Sequence, residues 1–152
     1  MLELSKEQLL NIFTKNPFFE FFTKDEKEHL AGFKSNMLGF TNGQYIIRQG
    51  ETDCLICILL KGKVNITKKE KASVIINTLK TGAIFGEIAL FCKRTRSTNV
   101  VANGDAMVLK MDWNLFEQLP EETKNKIKDK LIDVFIQRLE EMNKVLIDQS
   151  RV

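Results

Sequence analysis

The sequence predicts a mainly β domain with flanking α-helices: an antiparallel sandwich or barrel, N-terminal helices before it and a long C-terminal helix after it. Three observations carry this. All 8 glycines fall between Gly32 and Gly104, so the middle of the 152-residue chain is rich in turns. Both prolines, Pro17 and Pro120, stand outside that stretch, in flanks whose apolar residues recur at helical spacing. Between the glycines run short β-branched segments of strand length. The expected layout is a single domain over 1–152, with N-terminal helices to residue 40, a barrel over 41–111 and C-terminal helices over 112–150.

Each element has a local signal. Ser5 with Gln8 fits a capping box, and Leu9, Leu10, Ile12 and Phe13 follow at helical spacing. Asn16-Pro17 ends that helix, because proline disfavours the helical conformation in the residue before it. Thr23 with Glu26 starts a second helix, which runs through His29 and Leu30 to about Gly32. Seven of the 11 phenylalanines lie between Phe13 and Phe40 and read as packing for these short helices. Asn42-Gly43 is a turn into a strand over Gln44–Arg48, with a second turn at Gly50. Cys54–Leu60 is a strand closed by Gly62, and Val64 and Ile66 then alternate with Asn65 and Thr67. Lys68-Lys69-Glu70-Lys71 is a charged hairpin tip before the strand Val74–Ile76. Asn99–Ala102 and Ala106–Met111 are expected to form a hairpin about Asn103-Gly104-Asp105, since Asn-Gly suits a turn with positive φ at both central residues.

Asp112 can cap a short helix holding Trp113, Leu115 and Phe116. Pro120-Glu121-Glu122 then opens a helix reaching about Gln149. On it Ile132, Phe135, Leu139, Met142 and Leu146 are spaced 3, 4, 3 and 4 residues apart, an a/d seam. Ile127, Leu131 and Val134 lie on a neighbouring face. Two apolar faces suggest two uses, one on the barrel and one on a second copy of the helix. The alternative is a helix lying wholly on its own domain.

Composition narrows the function. Lys+Arg 23 against Asp+Glu 20 gives a net charge of +3, too mild for a binder driven by phosphate neutralisation along a nucleic acid. The longest apolar run, Cys54–Leu60, is too short to span a bilayer, and Met1–Glu7 lacks the pattern of a secretion signal. Three cysteines then read as reduced thiols in a cytoplasmic protein. Cys54 and Cys57 are three apart in a strand and point to opposite faces, so they do not share a metal. A single histidine, His29, argues against a metal-dependent barrel enzyme and against Ser-His-Asp or Cys-His chemistry. No metal and no catalysis are expected. The lysines at 61, 63, 68, 69 and 71 read as a solvated hairpin.

The informative stretch is Gly82-Ala83-Ile84-Phe85-Gly86-Glu87-Ile88-Ala89-Leu90, followed by Thr95-Arg96-Ser97-Thr98. Gly86 at the start of a short helical turn lets a ligand approach the main chain, whose N–H groups point at an anion. Arg96 can close a phosphate site with paired charge-assisted hydrogen bonds. Glu87 repels phosphate but is suited to accept a hydrogen bond from a sugar hydroxyl. Together these groups describe a ribose-phosphate pocket.

The stretch over 82–98, with Asn42–Glu51, Asp53 and Leu60-Lys61-Gly62-Lys63-Val64 in order before it, resembles the cyclic nucleotide-binding domain family of catabolite activator proteins and protein kinase A regulatory subunits. The resemblance covers about Phe18 to Leu146. It implies a jelly-roll barrel (a double-stranded β-helix) and a ligand that is cAMP or cGMP. It implies that Glu87 accepts the ribose 2′-hydroxyl and Arg96 neutralises the cyclic phosphate. Gly86, Ile88 and Ala89 would offer main-chain contacts, Ser97 a hydrogen bond to phosphate or purine, and Phe85 and Thr98 further contacts. Ile66 and Ile76 are candidates for the base, and Arg138, then Asn143, for a lid from the C-terminal helix. The sequence departs from the common pattern at Thr95, where proline is usual, at Thr98, where alanine is common, and in the basic Cys92-Lys93-Arg94. By the same resemblance, serine rather than threonine at 97 implies cAMP over cGMP.

The expectation is therefore a cyclic nucleotide sensor whose ligand repositions the C-terminal helix. Its partner would be a second copy, through Ile132, Phe135, Leu139, Met142 and Leu146, or an unknown effector protein. The alternative is an interaction or dimerisation module that keeps the fold without binding nucleotide. After the long helix the chain ends at Val152, which leaves no room for a helix-turn-helix, so no DNA-binding domain is expected.

Overall fold

Six antiparallel strands make up the described sheet: β1 (Met37–Phe40), β2 (Tyr45–Ile47), β3 (Leu55–Lys68), β4 (Lys71–Lys80), β5 (Ile84–Phe85) and β6 (Asn99–Asp112). The computed structural model describes residues 4–52, 55–68, 71–86, 96 and 98–150, with the main chain alone for 71–73 and 150. It comprises two units, Met1–Gln118 and Leu119–Val152.

β3 and β6 pair along their length from Leu55↔Asp112 to Thr67↔Asn99. β1 and β2 add to the free edge of β6, and β4 and β5 to the free edge of β3. Each long strand has 14 residues. That is more than twice the usual length of about 5–6 residues. Both bend at one place. From Lys61↔Met107 to Lys63↔Asn103, β6 spends four residues against two on β3. Extra residues on one side of a ladder kink it and increase its twist. Gly62 makes the bend possible: its φ is +94°, and a Cβ there would collide with the carbonyl oxygen of Asp105. The bend folds the sheet into a barrel-like form whose two edges do not pair among the described residues.

This corrects two expectations. Gly62 does not close a strand, and Asn103-Gly104 does not turn a hairpin. A type I′ turn needs positive φ at both central residues. Gly104 has φ +79°, but among the described residues only glycines have positive φ, so Asn103 does not. The pair kinks β6 instead of reversing it. By contrast, the expected tip at 68–71 is a hairpin: Lys68 pairs with Lys71, and 69 and 70 lie outside the described residues.

The barrel core includes Ile47, Cys57, Leu59, Val64, Phe85 and Val108, all buried. On β3 the run Ile56–Leu60 is buried throughout, so both faces of that half are covered. The N-terminal flank follows its caps. α1 (Lys6–Lys15) and α2 (Lys24–Ala31) both carry complete capping boxes, from Ser5/Gln8 and Thr23/Glu26. Between them Pro17–Phe19 is a 3-10 turn. Phe13, Phe18, Phe19 and Phe22 are buried, and Phe19 packs edge-on against the other three at ring distances of 4.6, 4.9 and 5.1 Å. Phe21 is the exception at 72% exposed. β1 lies within the flank expected to be helical: it is four residues long, too short to show a period, and pairs Met37–Phe40 with Leu109–Ala106.

α3 (Trp113–Glu117) is capped as expected, with Asp112 Oδ1 accepting from the Leu115 N–H at 2.8 Å. α4 (Glu121–Ser150) is the long C-terminal helix. On α4, Ile127 and Leu131 are buried, whereas Ile132, Leu139, Met142 and Leu146 are exposed and Phe135 is half-buried.

Candidate functional site

The glycine-rich stretch is fixed at its entry before it reaches any functional residue. The Gly82 N–H donates to the Leu59 carbonyl at 2.9 Å, and the Leu59 N–H donates to the Ala83 carbonyl at 2.9 Å. On the other side stands the Asn16-Pro17 corner. Gly82 has φ +94°, and a Cβ there would stand 3.1 Å from Pro17 Cγ and 3.2 Å from Asn16 Oδ1. Asn16 is itself buried. Its Nδ2 donates to the Leu59 and Leu60 carbonyls at 3.0 and 3.2 Å, and its Oδ1 accepts from the Phe18 N–H at 2.9 Å. β5 then pairs Ile84 with Ile58 and Phe85 with Cys57, which drives Phe85 into the core. Phe85, a predicted contact, packs its side chain into the barrel core.

At Gly86 the chain meets Arg96. The Arg96 Nη1 donates to the Gly86 carbonyl at 3.0 Å and Nη2 to the Leu55 carbonyl at 2.6 Å. Gly86 has φ +73°, and a Cβ on it would collide with Nη1 and lie 3.1 Å from Cζ. The conformation favours glycine, and any side chain there would have to push the guanidinium aside. Arg96 is only 8% exposed. Charged side chains are seldom so buried. Two main-chain carbonyls, of Leu55 at the start of β3 and of Gly86 just after β5, set the plane of this one, and a fixed, desolvated guanidinium is a strong receptor for a phosphate.

The main chain of Arg96 is held as firmly as its side chain. The Gly50 N–H donates to the Arg96 carbonyl at 2.9 Å, and the Arg96 N–H donates to the Glu51 carbonyl at 2.8 Å. The turn that supplies these groups is closed by Glu51 Oε1, which accepts from the Arg48 N–H at 2.9 Å.

Of the remaining predicted residues, Thr98 is half-buried in a bend just before β6. Ile66 is half-buried against the barrel core, and Ile76 on β4 is 53% exposed. Glu87, Ile88, Ala89 and Ser97 lie outside the described residues, as do Asp53, Cys54, Cys92, Arg94 and Thr95. Arg138 and Asn143 are on α4, both exposed. Partial desolvation draws the Arg138 guanidinium below the ordinary arginine value, while the Glu141 carboxylate acts the other way. Asn16, Gly50, Glu51, Leu55 and Asn99 are not among the predicted site residues, although Gly50 and Glu51 lie in the stretch that carries the resemblance. They act through main-chain groups or long-range contacts that no local pattern encodes. Among the described residues no three His, Cys, Asp or Glu side chains group as metal ligands, and no helix is long and apolar enough to cross a membrane.

Comparison with known proteins agrees with this arrangement. The family profile described as a cyclic nucleotide-binding domain matches residues 38–123. Human cGMP-dependent protein kinase 2 is 39% identical over 83 residues, which is 52% of this chain and 11% of the kinase. The cGMP-dependent protein kinase egl-4 of Caenorhabditis elegans is 31% identical over 116 residues, 74% of this chain and 15% of the kinase. The chain thus spans a small part of the length of these relatives. The crystal structure of a cyclic nucleotide-binding domain from Methylobacillus flagellatus superposes with a TM-score of 0.65 at 26% identity, covering 90% of this chain and 79% of that one.

Proposed function

The chain belongs to the cyclic nucleotide-binding domain family, and on that premise we propose that it is a regulatory sensor, not a catalyst, in which a bound cyclic nucleotide repositions the C-terminal helix. The observation that carries the proposal is the buried Arg96 guanidinium, set against Gly86 by the carbonyls of Gly86 and Leu55. In this reading Arg96 meets the cyclic phosphate. Glu87 accepts the ribose 2′-hydroxyl, and Gly86, Ile88 and Ala89 offer main-chain contacts. Ser97 and Thr98 border the phosphate or purine, Ile66 and Ile76 border the base, and Arg138 or Asn143 closes over it.

The ligand can move the helix only as far as it binds one helix position more tightly than the other. The output passes to a second copy through the α4 seam or to an effector protein, in a cytoplasmic setting. The preferred ligand is cAMP, on the strength of serine at position 97. A second reading, cGMP, is favoured by the two kinases above, whose names make them cGMP-dependent.

Calorimetric titration of nucleotide-free protein with cAMP and, separately, cGMP tests both readings. Saturable binding in the micromolar range or tighter is expected, and the ratio of the two affinities decides between them. Arg96→Ala should cost about 2–5 kcal/mol of binding, because it leaves a buried phosphate unpaired. No binding of either nucleotide at millimolar concentration would sink the sensor and leave the nucleotide-independent interaction module.

A further inference from the structure

We propose that Asn99 is a positioning residue for Arg96, acting through the turn at 48–51; the proposal rests on the reading of Arg96 as the phosphate anchor. Asn99 begins β6, opposite Thr67 of β3, and is 5% exposed. Asparagine is depleted in strands, and a buried amide is costly unless it is hydrogen-bonded. Its partner explains its presence: Oδ1 accepts from the Gln49 N–H at 2.7 Å.

Gln49 sits inside the turn that grips Arg96. On one side of it the Glu51 N–H donates to the Arg48 carbonyl at 3.2 Å and Glu51 Oε1 accepts from the Arg48 N–H. On the other side the N–H of Gly50 and the carbonyl of Glu51 bond the two main-chain groups of Arg96. The connection closes on itself. The Asn99 side chain holds the turn, the turn holds the Arg96 main chain, and Arg96 lies three residues before Asn99 in the sequence. Without Oδ1 the Gln49 N–H loses this bond, and the turn is held to β6 by the β2 pairing of Ile47 with Val100 rather than at its own tip. The guanidinium then keeps its contacts to the Gly86 and Leu55 carbonyls, while the turn that holds its main chain is less firmly placed. A binding group of this kind must be held to roughly 0.5 Å by its supporting shell.

The test is a double-mutant cycle on the full chain with cAMP and cGMP as probes, together with amide hydrogen exchange at Gly50 and Arg96. Asn99→Ala is expected to weaken binding about tenfold with Arg96 present, and to add no further loss in the Arg96→Ala background. Exchange at the Gly50 and Arg96 amides should accelerate while that at Leu59, deep in β3, does not. Equal losses in both backgrounds, or unchanged exchange at Arg96, would overturn the proposal. If the wild-type chain binds neither nucleotide, the sensor reading fails, and the exchange arm alone decides whether Asn99 holds Arg96. Should Asn99→Ala not fold, Asn99→Ser serves: it keeps a polar group but is too short to reach Gln49, and the same outcomes apply.

Discussion

Gly86 and Arg96 occupy their positions only as a pair. The guanidinium lies where a Cβ on residue 86 would be, and the main chain at 86 is in a conformation that L side chains rarely adopt. Gly86→Ala therefore imposes backbone strain of about 1–3 kcal/mol and displaces the guanidinium as well. The expected result is at least a tenfold loss of cyclic nucleotide affinity by calorimetry, in a protein that still melts cooperatively. Wild-type affinity in this variant would mean that the guanidinium is not the anchor. Both residues stood out in the sequence, because a glycine and an arginine carry their chemistry in their identity, and the structure brings them together. Asn99 and Asn16 did not. Their partners lie 50 and 43 residues away, so their side chains look like ordinary loop or strand asparagines until the chain is folded.

β3 and β6 show why the strands were harder to read than the helices. Helix ends are decided by groups three residues apart, and the capping boxes of Ser5/Gln8 and Thr23/Glu26 and the cap of Asp112 all form as their sequences indicate. Strand ends are decided by pairing. Gly62 and Asn103-Gly104 look like turns locally, yet the ladder between β3 and β6 continues past both and bends there. β1 and β5, four and two residues long, exist only because β6 and β3 offer them an edge. The bend itself can be tested. Gly62→Ala would place a methyl group against the Asp105 carbonyl oxygen and 3.0 Å from Ala106 Cα, both main-chain atoms that cannot turn aside. Together with the cost of positive φ, this should lower the unfolding free energy by more than about 2 kcal/mol. It would be read as a fall in the urea midpoint at unchanged m-value. A midpoint equal to wild type would mean that the strands accommodate the bend elsewhere.

For the chain as a whole, the proposed output depends on the apolar seam of α4. Ile132, Leu139, Met142 and Leu146 are exposed by 52–62%, and Ile136, Val145 and Ile147 are also exposed. Burying one such side chain is worth about 1.5–3 kcal/mol before the cost of association. If the seam pairs with a second copy, that burial has to exceed the cost of association for a dimer to form. Sedimentation equilibrium of the wild-type chain should show a monomer–dimer equilibrium, and Leu139→Glu with Leu146→Glu should leave only monomer. A sensor requires more than a dimer. If nucleotide moves α4, the ligand and the second copy are two ligands of one conformational equilibrium. Each must then change the affinity of the other by the same factor. Saturating cyclic nucleotide should shift the dimer dissociation constant. The monomeric double variant should bind nucleotide with an affinity altered by the same factor, in the matching direction. Coupling is typically about 5–150-fold, well within reach of both measurements. A dimer constant indifferent to ligand, with equal nucleotide affinity in monomer and dimer, would separate the two activities. The seam would then be an assembly surface on a nucleotide-binding domain, and the signal would have to leave by another face.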